Sequence, residues 1–301
     1  MIALMERKNK MEEYLHELMY QGELYHYTND KGAKNILNPE LTFPKPKYKF
    51  PEGCLSLQFK RIDFMTRNDN KERKHIRDMV LSLLSEYHNI GLDGDFVKKV
   101  LEYNPTEETF YSTITDKKDP IFNREIIKWD YAPCDYYVAC FSTNPYNKHI
   151  IKEFKADYIF SLKECFAAEC NSRGRFSRFY PFLALNDVNL NYDLKKVAYT
   201  SQQLSDIILN ELLHMQQTYT DMERLKQNLQ DLYAKYDAFV KEQKYLPEEE
   251  VRFVVTIPQG YDTKTLNKHN IFFKGYQQPD DNGQMFLPID KTIFLKDVRQ
   301  V

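Results

Sequence analysis

Leu24-Tyr25-His26-Tyr27-Thr28, near the start of the chain, reads as a short β-strand with polar groups where a buried strand would carry apolar ones. Strand side chains alternate between faces with a period of two, so His26 and Thr28 share one face and Tyr25 and Tyr27 the other. A second stretch of this kind, Glu248-Glu249-Glu250-Val251-Arg252-Phe253-Val254-Val255, lies near the end. There Glu248, Glu250, Arg252 and Val254 share a face, opposite Val251, Phe253 and Val255, and Glu249 is excluded from the polar row. A histidine and a carboxylate on two strands that can meet in one sheet define a candidate site. Taken singly, His26 reads as a satisfied core histidine and the glutamates as a solvent-facing strand.

Outward from the first strand, Gly22 precedes it and Asn29 or Asp30 can cap a short helix through Ala33, Ile36 and Leu37, which Pro39 ends. Residues 5–20 read as an amphipathic helix. Prolines at positions 39, 44, 46 and 51 mark a loop. Leu55–Phe59 reads as a strand, and helices follow from Asp69 or Asn70 through Leu84, over Phe96–Tyr103, and from Thr106. Tyr136–Ser142 is the clearest central strand, ended by the turn residues of Ser142-Thr143-Asn144-Pro145. A short helix near residues 150–154, a strand at Tyr158–Leu162 and a further strand at Val197–Tyr199 come next. Ser201 to Lys244 carries two helical apolar stripes with a break near residues 218–220, a helical hairpin. The remaining strands are expected at Glu250–Ile257, Ile271–Gly275, Met285–Pro288 and Thr292–Leu295. Without regular βαβ alternation the class is α+β, one domain over residues 1–301 with helical insertions at about 66–128 and 201–244.

The 301 residues are 42% hydrophobic and 29% charged, a globular balance. A net charge of -2 gives no global attraction to nucleic acid or membrane and leaves local patches as the only electrostatic handle. Such patches occur at Lys45-Pro46-Lys47-Tyr48-Lys49, at Arg67 to Arg77, and at Arg173-Gly174-Arg175-Phe176-Ser177-Arg178-Phe179-Tyr180, where arginines interleave with aromatics in the manner of phosphate contact plus base stacking, or of a solvated loop. The cysteines, Cys54, Cys134, Cys140, Cys165 and Cys170, include no C-x-x-C pair and read as free thiols of a cytoplasmic protein. No apolar window is long enough to span a membrane, and the charged start lacks the apolar core of a signal peptide.

G-x-G-x-x-G, G-x-x-x-x-G-K-[ST], H-E-x-x-H and G-x-S-x-G are all absent. What remains is the set His26, Tyr27, Thr28, Ser142, Thr143, Glu248, Glu250 and Arg252. A neutral imidazole can hydrogen-bond a ribose hydroxyl, aromatic rings can hold a cationic nicotinamide, and a carboxylate can stabilise an oxocarbenium-like transition state as in glycoside cleavage. These are the groups needed to break a nicotinamide–ribose bond. Two other readings stand beside it: an interaction protein whose working part is the 201–244 hairpin, and a metal-dependent nuclease built on Glu248, Glu250 and a further acid such as Asp63.

The ordered motifs resemble the ADP-ribosyltransferase superfamily, and within it a bacterial toxin and phage-defence branch. The residues that carry the resemblance are Leu24-Tyr25-His26-Tyr27-Thr28 with Ile36-Leu37, Val138-Ala139-Cys140-Phe141-Ser142, Val197-Ala198-Tyr199, Glu248-Glu249-Glu250-Val251-Arg252, and Phe286-Leu287-Pro288-Ile289 followed by Ile293-Phe294-Leu295. The resemblance implies a split β-sheet core and NAD as a substrate. It implies Glu250 as the catalytic glutamate, with Glu248 orienting the acceptor. His26 would contact the NAD ribose, Ser142 and Thr143 would support the NAD site from the middle strand, Thr28 and Arg252 would belong to the NAD-binding set, and Tyr27 or Tyr158 would stack on nicotinamide. It further implies a mono-ADP-ribosyltransferase toxin of a toxin–antitoxin or antiviral defence system. Its target would be a nucleic acid, RNA ahead of DNA, or a protein, and its partner an antitoxin protein.

Overall fold

The structure is a computed structural model that describes residues 19–39, 50–62, 70–103, 112–113, 127–128, 134–172, 177–199, 201–258, 261–274 and 283–301. The chain divides into two compact units. One, residues 17–62, 134–197 and 243–301, holds the sheet; the other, residues 1–16, 63–133 and 198–242, holds the long helices.

Alternating apolar residues build the sheet. Its nine strands are β1 (Leu24–Thr28), β2 (Cys54–Arg61), β3 (Cys134–Ser142), β4 (Tyr158–Leu162), β5 (Asn191–Lys196), β6 (Glu250–Pro258), β7 (Phe272–Lys274), β8 (Gln284–Asp290) and β9 (Leu295–Gln300), and every pairing is antiparallel. Together with the helices this is an α+β protein. Tyr137, Ala139 and Phe141 of β3 and Val251, Phe253, Val255 and Ile257 of β6 point into one apolar core, joined by Leu24, Phe160 and Leu162. Truncating a residue as buried as Phe253 to alanine would cost about 3–5 kcal/mol.

β3 is the axis of this sheet. Along one edge it pairs with β6 over its whole length, from Cys134↔Pro258 to Ser142↔Glu250, and β6 then pairs with β5. Along its other edge it meets two strands in succession. β1 joins at Tyr25↔Ser142, and β2 joins at Lys60↔Val138 and Arg61↔Tyr137. β1 leads on to β4 and β9; β2 leads on to β8 and β7. The sheet therefore forks, and the fork opens between Val138 and Ser142.

Helix α1 (Asp30–Leu37) follows β1 at once. Asn29 accepts the Gly32 N–H at 2.8 Å as N-cap, as the sequence suggests. Ala33 and Ile36 turn inward, and Asn38 closes the helix. A Cβ at Gly32 would lie 2.0 Å from Thr28 Oγ1, so the Thr28 side chain or the helix would have to shift.

In the helical unit, helices Asn70–Ser85, Gly94–Tyr103, Ser201–Thr218 and Met222–Tyr236 bury the expected stripes, among them Ile76, Val80, Leu204, Ile208, Leu212, Leu225, Leu229 and Leu232. The hairpin break falls at residues 219–221, where Asp221 caps the second helix through the Arg224 N–H at 2.8 Å. No helix among the described residues is long and apolar enough to cross a membrane. Among the described residues Cys54, Cys140, Cys165 and Cys170 form no disulfide.

Three local expectations are corrected. The strand expected at Val197–Tyr199 lies earlier, at Asn191–Lys196, where Tyr192 and Leu194 alternate inward between polar neighbours; Ala198 makes only an isolated bridge to Val240. Thr292–Leu295 is not a strand: Lys291–Phe294 is a helical turn that buries Phe294, and β9 starts after it. Glu248 does not belong to β6. It ends a 3-10 turn over Gln243–Glu248 that contains Pro247, and β6 begins at Glu250. Residues 5–18 of the expected first helix, the Lys45–Lys49 patch, Asp63, Arg67, Thr106 and residues 173–176 lie outside the described residues.

The Gly32 contact is testable. Gly32→Ala is expected to destabilise the protein by about 1–3 kcal/mol through overpacking, and Thr28→Ala in the same chain to recover much of the loss. Urea midpoints for the two single variants and the double variant measure this coupling.

Candidate functional site

The fork sets a backbone problem. A strand interior offers N–H and C=O groups on both edges, and buried ones need partners. β1 registers with Ser142 and β2 with Val138 and Tyr137, on either side of Cys140. The Nδ1 of His26 lies 3.0 Å from Cys140 O, while its ring meets Phe141 edge-on at 5.8 Å. A carbonyl only accepts, so Nδ1 carries the proton and Nε2 is left as an acceptor. Burial pushes the His26 pKa down, and the Cys140 carbonyl only partly opposes this, so the imidazole is neutral at physiological pH. Among the described residues nothing bonds Nε2.

The glutamate segment is held just as closely. Glu249 takes a left-handed conformation with φ 48°, uncommon for a residue with a side chain. This breaks the alternation read from the sequence. Ser142 Oγ donates to Glu248 O at 2.9 Å, and the Thr143 N–H donates to Glu249 O at 3.0 Å. Asn147, 3% exposed, donates through Nδ2 to Pro247 O at 2.7 Å and Glu248 O at 3.3 Å. Its Oδ1 caps helix α2 (Lys148–Phe154) through the Ile150 N–H at 3.1 Å. Despite its place off the strand, Glu248 is buried to 5% exposure, whereas Glu249 is exposed.

Glu250 and Arg252 form an ion pair, Arg252 Nε to Glu250 Oε1 at 3.0 Å, with side-chain exposures of 5% and 6%. Two charges at that depth cost solvation that their attraction offsets only with good geometry. Their row on β6 faces Ser142 and Cys140 of β3.

The strands bring the expected residues together in two groups. Ser142, Glu250 and Arg252 share a face with Tyr25, which pairs with Ser142. His26, Thr28 and Tyr158 share the opposite one: Thr28 pairs with Tyr158, and Tyr158 packs against the core beside His26's partner Phe160. His26 and Glu250 thus stand on opposite faces of the sheet. Tyr27 is a tether. Its hydroxyl donates to Asn144 O at 2.6 Å and accepts from the Asn147 N–H at 2.7 Å, fixing the turn after β3. Thr143 Oγ1 lies 3.4 Å from Glu249 Oε2.

Sequence reading missed Asn147. Its signal was an Asn before a helix in the turn after Phe141-Ser142, which names a cap but not the carbonyls it also binds. Tyr180, in the basic-aromatic run, is structural: its N–H donates to Asp290 and its hydroxyl accepts from Asn270 Nδ2 at 3.2 Å. Among the described residues no group of three His, Cys, Asp or Glu side chains is arranged to hold a metal ion. No protein-family model, no curated protein and no solved structure matches the chain.

Two outcomes follow from these contacts. Glu250→Gln removes the charge that faces the nearly buried Arg252 guanidinium and is expected to cost up to about 3–5 kcal/mol, while Glu250→Leu with Arg252→Met costs far less; chemical denaturation compares them. For His26, the unfolded imidazole takes its proton near pH 6.5, and the folded one only at lower pH. The unfolded state thus binds more protons between those values. Stability is full above about pH 6.5 and declines as pH falls toward the folded value. Urea titrations across this range should show that decline weakened in His26→Gln, whose amide can still donate to Cys140 O.

Proposed function

We propose that the chain is an NAD-dependent ADP-ribosyltransferase, with the forked sheet as its transferase core. The observation that carries this reading is His26 at the fork: a neutral imidazole fixed through Nδ1 and offering Nε2 as an acceptor. A ribose hydroxyl is the natural donor to such a nitrogen, and a charged imidazolium would instead repel a cationic nicotinamide. In this reading NAD lies in the fork, where no ladder separates the two faces. His26 would meet it from one row and Glu250 from the other.

The chemistry then balances simply. The bond between C1′ and the nicotinamide nitrogen breaks, and its electron pair leaves with nicotinamide, which becomes neutral. The ribose gains oxocarbenium character, which a carboxylate stabilises. Glu250 is the group assigned to this, its position fixed by Arg252. An acceptor nucleophile bonds C1′ and releases a proton. Holding acceptor and C1′ together removes much of the entropic barrier. Ser142 and Asn147 contribute by fixing the turn that leads into Glu250. A cytoplasmic toxin or defence role, with an antitoxin protein as partner, is part of the proposal and rests on the motif resemblance.

One observation favours a second reading, a protein that binds NAD or a partner through this fold without transfer. The Glu250 carboxylate is engaged by Arg252 and almost buried.

Release of nicotinamide from NAD decides between them. The transferase reading expects release by the wild type, loss on the order of a hundredfold or more in Glu250→Gln, and a raised KM in His26→Ala. Tight NAD binding with no release, by wild type in the presence of a cell lysate, is the result the second reading expects.

A further inference from the structure

We propose that α2, with the turns that flank it, is a docking face for single-stranded nucleic acid; the claim that this strand is the acceptor rests on the transferase reading. Lys148, Lys152 and Lys155 are spaced by four and three residues, so they form one stripe along the helix and its cap. All three are exposed, and none makes an ion pair with a described residue. Exposed aromatics stand at both ends: Tyr146 is 55% exposed before the helix and Phe154 57% at its last position. Beside them the Lys244 ammonium sits 4.8 Å from the Tyr245 ring centre, and Leu246 is 49% exposed.

These parts are not a loose surface. Asn147 ties α2 to the Gln243–Glu248 turn through Pro247 O and Glu248 O, and Tyr27 ties its leading turn to β1. The face is therefore built on the segment that leads into Glu250. The nearby carboxylates are Glu153 on the helix, Asp157, which accepts the Asp30 N–H at 2.9 Å, and Glu249, whose Oε2 lies 3.4 Å from Thr143 Oγ1.

A row of lysines along the helix, with an exposed ring at each end of it, matches a phosphate backbone whose bases are free to stack. A duplex hides its base faces, and an acidic protein would use the lysines but leave Tyr146 and Phe154 without a role. Single-stranded RNA or DNA is the occupant that uses both kinds of group.

Fluorescence anisotropy with a labelled single-stranded RNA, titrated across a range of salt concentrations without NAD, tests this. Neutralising three phosphates on a single strand contributes about 2 to the slope of log K against log salt, at about 0.7 each. Lys148→Gln/Lys152→Gln/Lys155→Gln should lose about that much slope. Tyr146→Ala should weaken binding severalfold with the slope unchanged. Unaltered affinity and slope in the triple variant would overturn the proposal, as would tighter binding to polyglutamate, to anionic lipid vesicles or to duplex RNA than to the single strand. Nicotinamide release measured on the same proteins keeps the two claims apart. Strand binding without release leaves the docking face standing and removes the transferase, and release without strand binding does the reverse.

Discussion

The interaction on which the functional reading depends is the bond from His26 Nδ1 to the Cys140 carbonyl at the fork. β3 can keep a continuous ladder with β6, but on its other edge it hands over from β2 to β1. His26 reaches across and donates to the Cys140 carbonyl. The same bond fixes the tautomer, and burial removes the charge. A structural bond and a polarised acceptor nitrogen are thus one feature.

The opposite row follows a similar logic with charge in place of a neutral ring. Glu250 and Arg252 are nearly buried on a sheet whose other face is an apolar core. An apolar pair at these positions would pack without the cost of desolvation, so their presence is poorly explained by stability alone. The backbone around them is also expensive: Glu249 is left-handed, and its carbonyl and that of Glu248 are clasped by Thr143, Ser142 and Asn147. Strain of this kind persists where the surroundings over-determine it. Here they do, through a chain of bonds from Tyr27 to Asn147 to the glutamate turn.

The sequence made much of this legible where period and cap chemistry are strong. Tyr158–Leu162 was recoverable because five residues of strand character stand between turns, and Asn29 because an Asn before a helical stripe has few other uses. The hairpin break showed in the interruption of two apolar stripes. Less legible was anything set by tertiary contact. Alternation placed Glu248 on the strand, but Pro247 and the clasped carbonyls of the turn end the strand pattern at Glu250. The β5 strand hid because Asn191 and Asp193 speak for a turn, and only pairing with β6 makes Tyr192 and Leu194 inward residues. His26 was visible as a candidate, yet its partner, a main-chain carbonyl at a fork, leaves no mark in the sequence at all.

The central claim is that the His26 Nε2 is the acceptor that meets NAD. Long-range nitrogen–proton NMR of histidine-labelled protein reads it directly, with His26→Gln identifying the signal. The account predicts that free His26 is neutral with the proton on Nδ1, and that added NAD shifts Nε2 as expected of a nitrogen receiving a hydrogen bond while Nδ1 keeps its proton. An Nε2–H tautomer in the free protein, or an Nε2 signal unmoved at NAD concentrations that perturb the rest of the sheet, would contradict it.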